Sequence, residues 1–249
     1  MEFEGRKILF KSLVGSHNYN LQTATSDKDY KIFVLPTFDD LYEGKHFSKS
    51  IVGEAEDWDV HDIRKATHLW WKSNINFLEV LFSEECIVNV NLKLTTLSKL
   101  DIIFKYKDDI ARMNLPYLYD ACIGMYRTKR NNIHKGTEGT QHLIDKFGFN
   151  TKEAMHSLRV LDFIARFANS GFTNFKSAIW FNSDTVSKYI LESVRYGGYS
   201  EEMYLKLADE IFNTVQNRHE TIYKSQLPDE ELKNKILVLI KEIIQNEMR

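Results

Sequence analysis

The sequence predicts an α+β fold, in which a small mixed β-sheet with flanking helices is followed by an all-helical region. Two observations lead to this prediction. Short apolar runs rich in β-forming residues, bounded by turn residues, occupy the chain up to about residue 62. Longer stretches with helical periodicity occupy the remainder. We therefore expect two domains, over residues 1–110 and 111–249.

Three β-strands are expected in the first domain. Ile8 to Val14 is an apolar run that ends at the Gly15-Ser16 pair, and Tyr30 to Leu35 is a second run that ends at a proline. A third candidate strand lies within Ile51 to His61. These three runs account for the predicted small sheet.

The helices are predicted from periodicity and from capping residues. Asp62 can cap a helix that is interrupted near Asn74, and a later helical stretch has a break at Pro116. Asn150, three residues before Glu153, resembles the start of a capping box. The helix that follows places five apolar residues on one face, which we expect to be core: Ala154, Leu158, Leu161, Ala165 and Ala168. Further helices are expected over residues 183–196, 201–218 and 229–248.

The composition excludes several classes of protein. With 43% hydrophobic and 27% charged residues among 249, the chain can bury a sizeable core and is not expected to be disordered. No apolar run comes near the ~18 residues of a membrane-spanning helix, and residues 1–10 do not resemble a secretory signal, so a soluble cytoplasmic protein is expected. Cys86 and Cys122 lack the spacing of a disulfide framework. Few alanines and many asparagines and lysines suit a low-GC bacterium or its phage.

Charge is unevenly distributed, although the net charge is only −2. Residues 39–62 hold eight acidic residues against two lysines, an excess that would attract cations. The acidic residues are Asp39, Asp40, Glu43, Glu54, Glu56, Asp57, Asp59 and Asp62. Residues 124–136 contain no acidic residue but four basic ones, which are Arg127, Lys129, Arg130 and Lys135. Such a basic segment is either a solvated loop or a surface that holds a nucleic-acid backbone.

The segment from Gly15 to Lys31 carries the most informative chemistry. A Gly15-Ser16 turn at a strand end lets the backbone approach a phosphate, to which N–H groups and the serine hydroxyl can donate hydrogen bonds. Asp27 and Asp29 are two residues apart at the start of the next strand, so both carboxylates project from one face. Such a pair suits Mg²⁺ or Mn²⁺, and two such ions can bind a nucleoside triphosphate and activate an attacking hydroxyl.

A third carboxylate is expected on the third strand. Strand alternation places Asp57, Asp59 and His61 on one face, so periodicity alone does not choose between the two aspartates. His17, beside the serine of the turn, either contacts substrate or caps its own turn. A zinc site is not expected, because His61 and His68 have no third ligand at a recognisable spacing.

These residues resemble the DNA polymerase β-like nucleotidyltransferase superfamily, in which a Gly-Ser turn precedes an Asp-x-Asp pair. The longer matches Gly-Ser-His-x-Tyr and Ser-Asp-x-Asp-Tyr-Lys are similar to the branch named after an RNA repair pathway. Further similarity is found at Asp62-Ile63-Arg64-Lys65-Ala66, Lys72-Ser73-Asn74, Leu78-Glu79-Val80-Leu81 and Lys152-x-x-x-His156-x-x-Arg159. The resemblance therefore runs from residue 13 to about residue 165, and it is strongest in the first part.

The resemblance implies a role for each of these residues. Asp27, Asp29 and Asp57 would be the catalytic and metal-binding carboxylates, with Asp59 as the alternative to Asp57. Glu79 also matches the branch, but within an apolar helix it more simply braces a neighbouring element. The residues implied to bind the donor triphosphate are Gly15, Ser16, His17, Lys152, His156 and Arg159. The last three share one helical face opposite the apolar stripe, for which an exposed polar face is the plainer interpretation.

The implied reaction transfers a nucleoside monophosphate from a nucleoside triphosphate such as ATP to a hydroxyl group, with RNA or a nucleotide as the acceptor. The helical domain would close over the nucleotide. Two alternatives stay open: nucleotidylation of a protein or small molecule, and a catalytically silent module that binds nucleic acid. The chain departs from the branch at Asn20, where glycine is usual, although asparagine also adopts a left-handed backbone conformation.

Overall fold

The structure is a computed structural model that describes residues 1–24, 26–53 and 55–248. Glu54, which belongs to the predicted acidic stretch, lies outside the described residues, as do Thr25 and Arg249. The chain divides into two compact units, Met1–Asn114 with Pro228–Arg249, and Leu115–Leu227. The predicted α+β fold with a helical C-terminal region is confirmed. The last helix of the chain belongs to the first unit, so the chain enters that unit twice.

The first unit is built on a six-stranded mixed sheet. Its strands are β1 (Glu2–Phe3), β2 (Arg6–Val14), β3 (Lys28–Val34), β4 (Ser48–Ile51), β5 (Glu56–Asp62) and β6 (Cys86–Val88). They neighbour one another in the order β1-β2-β3-β5-β4, and β6 pairs with β2. The β3–β5 pair is parallel and the other pairs are antiparallel. The three predicted strands are confirmed as β2, β3 and β5, whereas β1, β4 and β6 were not predicted.

The two faces of this sheet are covered differently. One face carries an apolar cluster formed by Ile8, Leu13, Tyr30, Ile32, Val34 and Val60, against which Phe3, Phe47 and Trp58 pack. On the other face, α3 (Arg64–Trp71), α4 (Ile75–Leu78) and α5 (Leu94–Lys105) supply aromatic rings. The ring of Phe33 lies 6.4 Å from that of Trp70, and the ring of Phe10 lies 5.3 Å from that of Phe104. The helical cover therefore lies over the Phe10–Phe33 end of this face.

Other helices complete the first unit. They are α1 (Ser16–Tyr19), α2 (Phe38–Tyr42), a short 3-10 helix (Glu79–Phe82), α6 (Lys107–Arg112) and α13 (Glu230–Met248). Helix α13 packs against α3 and α5, and its buried residues are Leu232, Ile236, Ile240, Ile243 and Ile244. Near its end Glu247 accepts a hydrogen bond from Lys7 at 2.7 Å. The buried residues of α13 form an apolar stripe along the helix, and this stripe is therefore core packing.

The second unit is all helical in the part of the chain that the structure describes. Its helices are α7 (Leu115–Asn131), α8 (Gln141–Phe147), α9 (Thr151–Asn169), α10 (Phe175–Ile179), α11 (Val186–Arg195) and α12 (Glu201–Lys224). Asn150 caps α9 as predicted, because its side chain accepts the Glu153 N–H at 3.2 Å. The predicted break lies just before Pro116, at residues 113–114 between α6 and α7, and Pro116 itself lies in the first turn of α7, where a missing N–H costs little.

Helix α9 occupies the centre of the second unit, packed by α7, α11 and α12. Because neighbours surround it, the polar face predicted from the sequence is not uniformly exposed. Lys152 is exposed and His156 is half-buried, but Arg159 is only 4% exposed. The expectation of an exposed face is therefore wrong at Arg159. Among the described helices of the chain, none has both the length and the apolar character that crossing a membrane requires.

Candidate active site

Two aspartates face each other across neighbouring parallel strands. In the register of β3 and β5, Asp29 is the direct partner of Asp57. Paired residues of adjacent strands project to the same face of the sheet. Both carboxylates therefore lie on the face whose Phe10–Phe33 end is covered by α3, α4 and α5. Both residues are partly exposed. Val14, the last residue of β2, pairs with Asp29 from the other side, so three strand ends meet here.

Asp27 lies one residue before β3 and is exposed. The carboxylate of Asp57 accepts a hydrogen bond from the Gly53 N–H at 3.2 Å. Within the described parts of the chain, neither Asp27 nor Asp57 forms an ion pair with a lysine or arginine. Their charges are therefore not neutralised by a described lysine or arginine, which suits a cation-binding role.

Asp59, the alternative third carboxylate, is held in a different environment. Its Oδ2 accepts a hydrogen bond from Lys31 Nζ at 2.6 Å and lies 2.9 Å from Nε2 of His61. Its Oδ1 accepts one from Ser50 Oγ at 3.1 Å. Burial alone would raise the pKa of Asp59, but the hydrogen bonds from His61 and Lys31 hold it well below its usual range. The charge of this carboxylate is thus already balanced.

The turn after β2 is shaped by Gly15, which has φ +71° and ψ −146°, a backbone conformation that is essentially restricted to glycine. A Cβ atom built on Gly15 would lie 2.6 Å from Oδ2 of Asp29. Ser16 and His17, which open α1, are partly exposed. Asn20 ends the helix with φ +60°, so the left-handed conformation expected at this departure from the branch is present.

A buried glutamate holds this turn in place. Glu79 is 2% exposed, and its carboxylate accepts hydrogen bonds from the Gly15 N–H at 3.1 Å and from the Tyr19 hydroxyl at 2.5 Å. The Asn18 side-chain amide donates to it at 3.3 Å. The prediction that Glu79 braces a neighbouring element is confirmed. His17 contacts the loop before β3, since its Nε2 lies 3.3 Å from the Ser26 carbonyl oxygen.

The carboxylates fit a hard divalent cation by their chemistry. Asp27, Asp29 and Asp57 offer only oxygen donors, which Mg²⁺ and Mn²⁺ prefer, and no sulfur or imidazole that would favour zinc. Among the described side chains, no three His, Cys, Asp or Glu groups are already gathered as a metal cluster. The fit to a divalent cation therefore rests on the in-register pair Asp29 and Asp57, together with Asp27, which precedes Asp29 by two residues.

Residues 2–161, well over half of the chain, match the model of the RNA repair pathway DNA polymerase beta family. The chain belongs to this family. Membership supports a nucleotidyltransferase-type role, and it agrees with the resemblance carried by the Gly15–Lys31 segment. No curated protein sequence matches the chain. The matched residues include all the carboxylates described above and the first half of α9.

The second unit contains a group of basic side chains on α7 and α9. Lys152, His156 and Arg159 lie on α9, and Lys129 of α7 reaches the same helix, where it pairs with Glu153 at 2.9 Å. Burial lowers the pKa of His156 well below its usual value, and the nearby Arg159, Lys129 and Lys152 lower it further. His156 is therefore neutral at pH 7, and fixed positive charges surround it.

Some basic residues of the segment 124–136 already form ion pairs within the second unit. Residues 127–131 belong to α7, so this part is not a loop. Arg130 donates to both carboxylate oxygens of Asp209, at 2.5 and 3.1 Å. A surface pocket of about 460 Å³ adjoins this pair and is lined by Tyr126, Arg127, Arg130, Asn131, Asp209, Phe212 and Asn213. Because Arg130 is already paired with Asp209, it is a weak candidate for phosphate binding.

Sequence reasoning did not assign a role to Lys31, although the residue belongs to the quoted motif. Lys31 pairs in register with Asp59 and neutralises it, which separates the behaviour of Asp59 from that of Asp57. The signal was present in the sequence, because Lys31 is two residues after Asp29 and so shares its face. What the sequence lacked was the alignment between β3 and β5.

Proposed function

We propose that this protein is a metal-dependent nucleotidyltransferase, which transfers a nucleoside monophosphate from a nucleoside triphosphate to a hydroxyl group of RNA or of a nucleotide. The observation that carries the proposal is the in-register pairing of Asp29 with Asp57 beside the Gly15 turn. Membership of the RNA repair pathway DNA polymerase beta family supports both the reaction class and RNA as the acceptor.

In this proposal Asp27, Asp29 and Asp57 hold Mg²⁺ or Mn²⁺, which when bound neutralises phosphate charge and makes a hydroxyl more acidic. Asp57 is the third carboxylate in preference to Asp59, because Lys31 already neutralises Asp59. Asp57 then orients the acceptor hydroxyl and takes up its proton as the hydroxyl oxygen attacks the α-phosphorus. The bond from the α-phosphorus to the bridging oxygen breaks, and pyrophosphate leaves.

The donor phosphates are bound, in this proposal, by fixed donors from two places in the chain. Ser16 provides a backbone N–H group and a hydroxyl at the turn, and Gly15, whose own N–H is bound by Glu79, lets a phosphate approach the backbone closely. Lys152 and Arg159 provide positive charge from α9, and arginine and lysine suit phosphate because they stay charged at pH 7. His17 and His156 contribute as hydrogen-bonding groups.

The test is to incubate the purified protein with each α-labelled nucleoside triphosphate, Mg²⁺, and a mixture of RNA and protein, and then to measure which fraction is labelled. We expect label in RNA. The Asp29→Asn and Asp57→Asn variants should lose labelling, whereas Asp39→Asn, at an exposed carboxylate of α2, should keep it. Label only in protein would replace RNA by a protein acceptor, and absence of label with every donor would favour a silent module.

A further inference from the structure

Arg195 is the last residue of α11 and lies at the start of α9. Its backbone carbonyl oxygen accepts a hydrogen bond from the Thr151 hydroxyl at 2.9 Å, and Thr151 is the first residue of α9. Helix α11 packs along α9. Arg195 is therefore a neighbour of Lys152 within the second unit, although the residue is outside the part of the chain that matches the family.

Arg195 and Lys152 are not paired with acids in the part of the chain that the structure describes. The acid closest in sequence on α9, Glu153, is already paired with Lys129. The N-terminal end of the 19-residue helix α9 adds the positive end of its dipole to the same region.

The charge of Arg195 is also partly withdrawn from water. Arg195 is half-buried, and burial lowers the pKa of its guanidinium from the usual value. The same residue is one of four cations that lower the pKa of His156. A poorly hydrated charge without a counter-ion destabilises a fold. An anion bound at this place would supply that counter-ion.

We propose that Arg195 completes an oligophosphate-binding cluster with Lys152 and Arg159 on the second unit, and that it binds the triphosphate of a nucleotide. The class of ligand follows from the number and the density of the cations, since an oligophosphate brings several negative charges into a small volume. The identification of the ligand as the donor nucleotide rests on the proposed function. The preference for an oligophosphate does not.

Binding is measured on the full chain by calorimetric titration without divalent cations, with inorganic tripolyphosphate and ATP as ligands and adenosine as the ligand that lacks phosphate. Arg195→Gln should weaken tripolyphosphate and ATP by roughly 10- to 150-fold, the range expected for one charge-assisted hydrogen bond. The matched control is Arg218→Gln, because Arg218 is an exposed arginine of α12 in the same unit. It should leave binding unchanged, and adenosine should not bind measurably.

Thermal stability separates this role from a structural one. Because Arg195 is an uncompensated, half-buried charge, Arg195→Gln should melt at the same temperature as the parent or higher when no ligand is present. A lower melting temperature would show that the arginine supports the fold and would overturn the proposal. So would parental affinity of Arg195→Gln for tripolyphosphate.

The ligand source and the proposed function are tested separately. If RNA with a 5′-triphosphate displaces tripolyphosphate from the parent but ATP does not, the assignment to a nucleotide is overturned. If Arg195 governs tripolyphosphate binding while no α-labelled nucleotide is ever transferred, the proposed function fails and the cluster stands. If transfer occurs and depends on Asp57, but Arg195→Gln binds tripolyphosphate normally, the function stands and this inference fails.

Discussion

Gly15 lies against the carboxylate of Asp29, so closely that a Cβ atom at position 15 would be 2.6 Å from Oδ2. The glycine also has a positive φ of +71°. Two independent constraints thus exclude a side chain at this position. The turn and the aspartate are consequently one unit, in which a change at residue 15 alters where the Asp29 carboxylate points.

We expect Gly15→Ala to reduce nucleotide transfer at least about 100-fold, because a shift of about 1 Å in a reacting group has effects of this size. The backbone strain should cost about 1–3 kcal/mol of stability. Gly44→Ala is the matched control, because Gly44 also has a positive φ (+66°) but no atom within 4 Å of its Cβ position. Equal loss of transfer in both variants would contradict the proposed contact with Asp29.

The two aspartates of β5 should respond differently to the same substitution. Asp57→Asn should slow transfer by about 10²- to 10⁴-fold with little change in melting temperature, since Asp57 has no ion pair among the described residues. Asp59→Asn should lower stability by about 1 kcal/mol, a value kept small by solvent screening because the Asp59 side chain is 35% exposed. Transfer rates and melting curves of both variants test this. The reverse pattern would make Asp59 the third carboxylate.

Glu79 should contribute to the stability of the fold rather than act directly in catalysis. Glu79→Ala removes the carboxylate that accepts from the Gly15 N–H, the Asn18 amide and the Tyr19 hydroxyl, and each lost hydrogen bond to a charged group costs about 1.5–3 kcal/mol. The loss is smaller for the Asn18 amide, which keeps the backbone carbonyl oxygen of residue 79 as an acceptor at 3.3 Å. Tyr19→Phe removes only one of the three donors and should cost about 1.5–3 kcal/mol. Urea unfolding measures both. A Glu79→Ala protein as stable as Tyr19→Phe would show that the hydrogen bonds from Gly15 and Asn18 do not contribute to stability.

The ion pair between Arg6 and Asp40 should make stability depend on acid pH. Arg6 donates to both oxygens of Asp40, at 2.7 and 2.8 Å, and these hydrogen bonds hold the pKa of the buried carboxyl well below its usual range. Because the pKa is lower in the folded state, this stabilisation is present above the unfolded pKa of about 3.9 and is lost as pH falls further.

Asp40→Asn should therefore melt below the parent at pH 7, and the difference should shrink below about pH 4. Melting temperatures across this pH range are the measurement. The substitution keeps an oxygen that can accept the Thr37 N–H, so the cap of α2 is not removed at the same time. A difference that stays constant into acid would show that this pair does not contribute to the pH dependence.

Helix α13 should contribute to the stability of the first unit through its buried stripe. Ile236 is fully buried, and Ile236→Ala should cost about 2–5 kcal/mol, whereas Leu237, which is 52% exposed, should tolerate alanine with a loss within about 0.5 kcal/mol. Chemical unfolding of the two variants tests this. Equal, small losses would place the stripe outside the core.

The sequence could predict the carboxylates but not their alignment. Alternation within a strand indicates which residues share a face, yet the choice between Asp57 and Asp59 depends on the register of β5 against β3, which the intervening crossover sets. Arg159 shows the same limit for helices. The sequence shows that Arg159 and Lys152 share a helical face. The burial of Arg159 depends on which helices pack on α9, and periodicity does not contain that information.

Helix α13 is made after the whole second unit, yet it packs into the first. During synthesis, α3 and α5 must therefore remain without part of their apolar cover while the ribosome completes more than a hundred further residues. Domains of a growing chain usually fold in order from the N-terminus, but this one cannot finish until the later unit exists. We expect the nascent protein to bind chaperones over that interval, and prematurely released chains that end before residue 230 to aggregate rather than act.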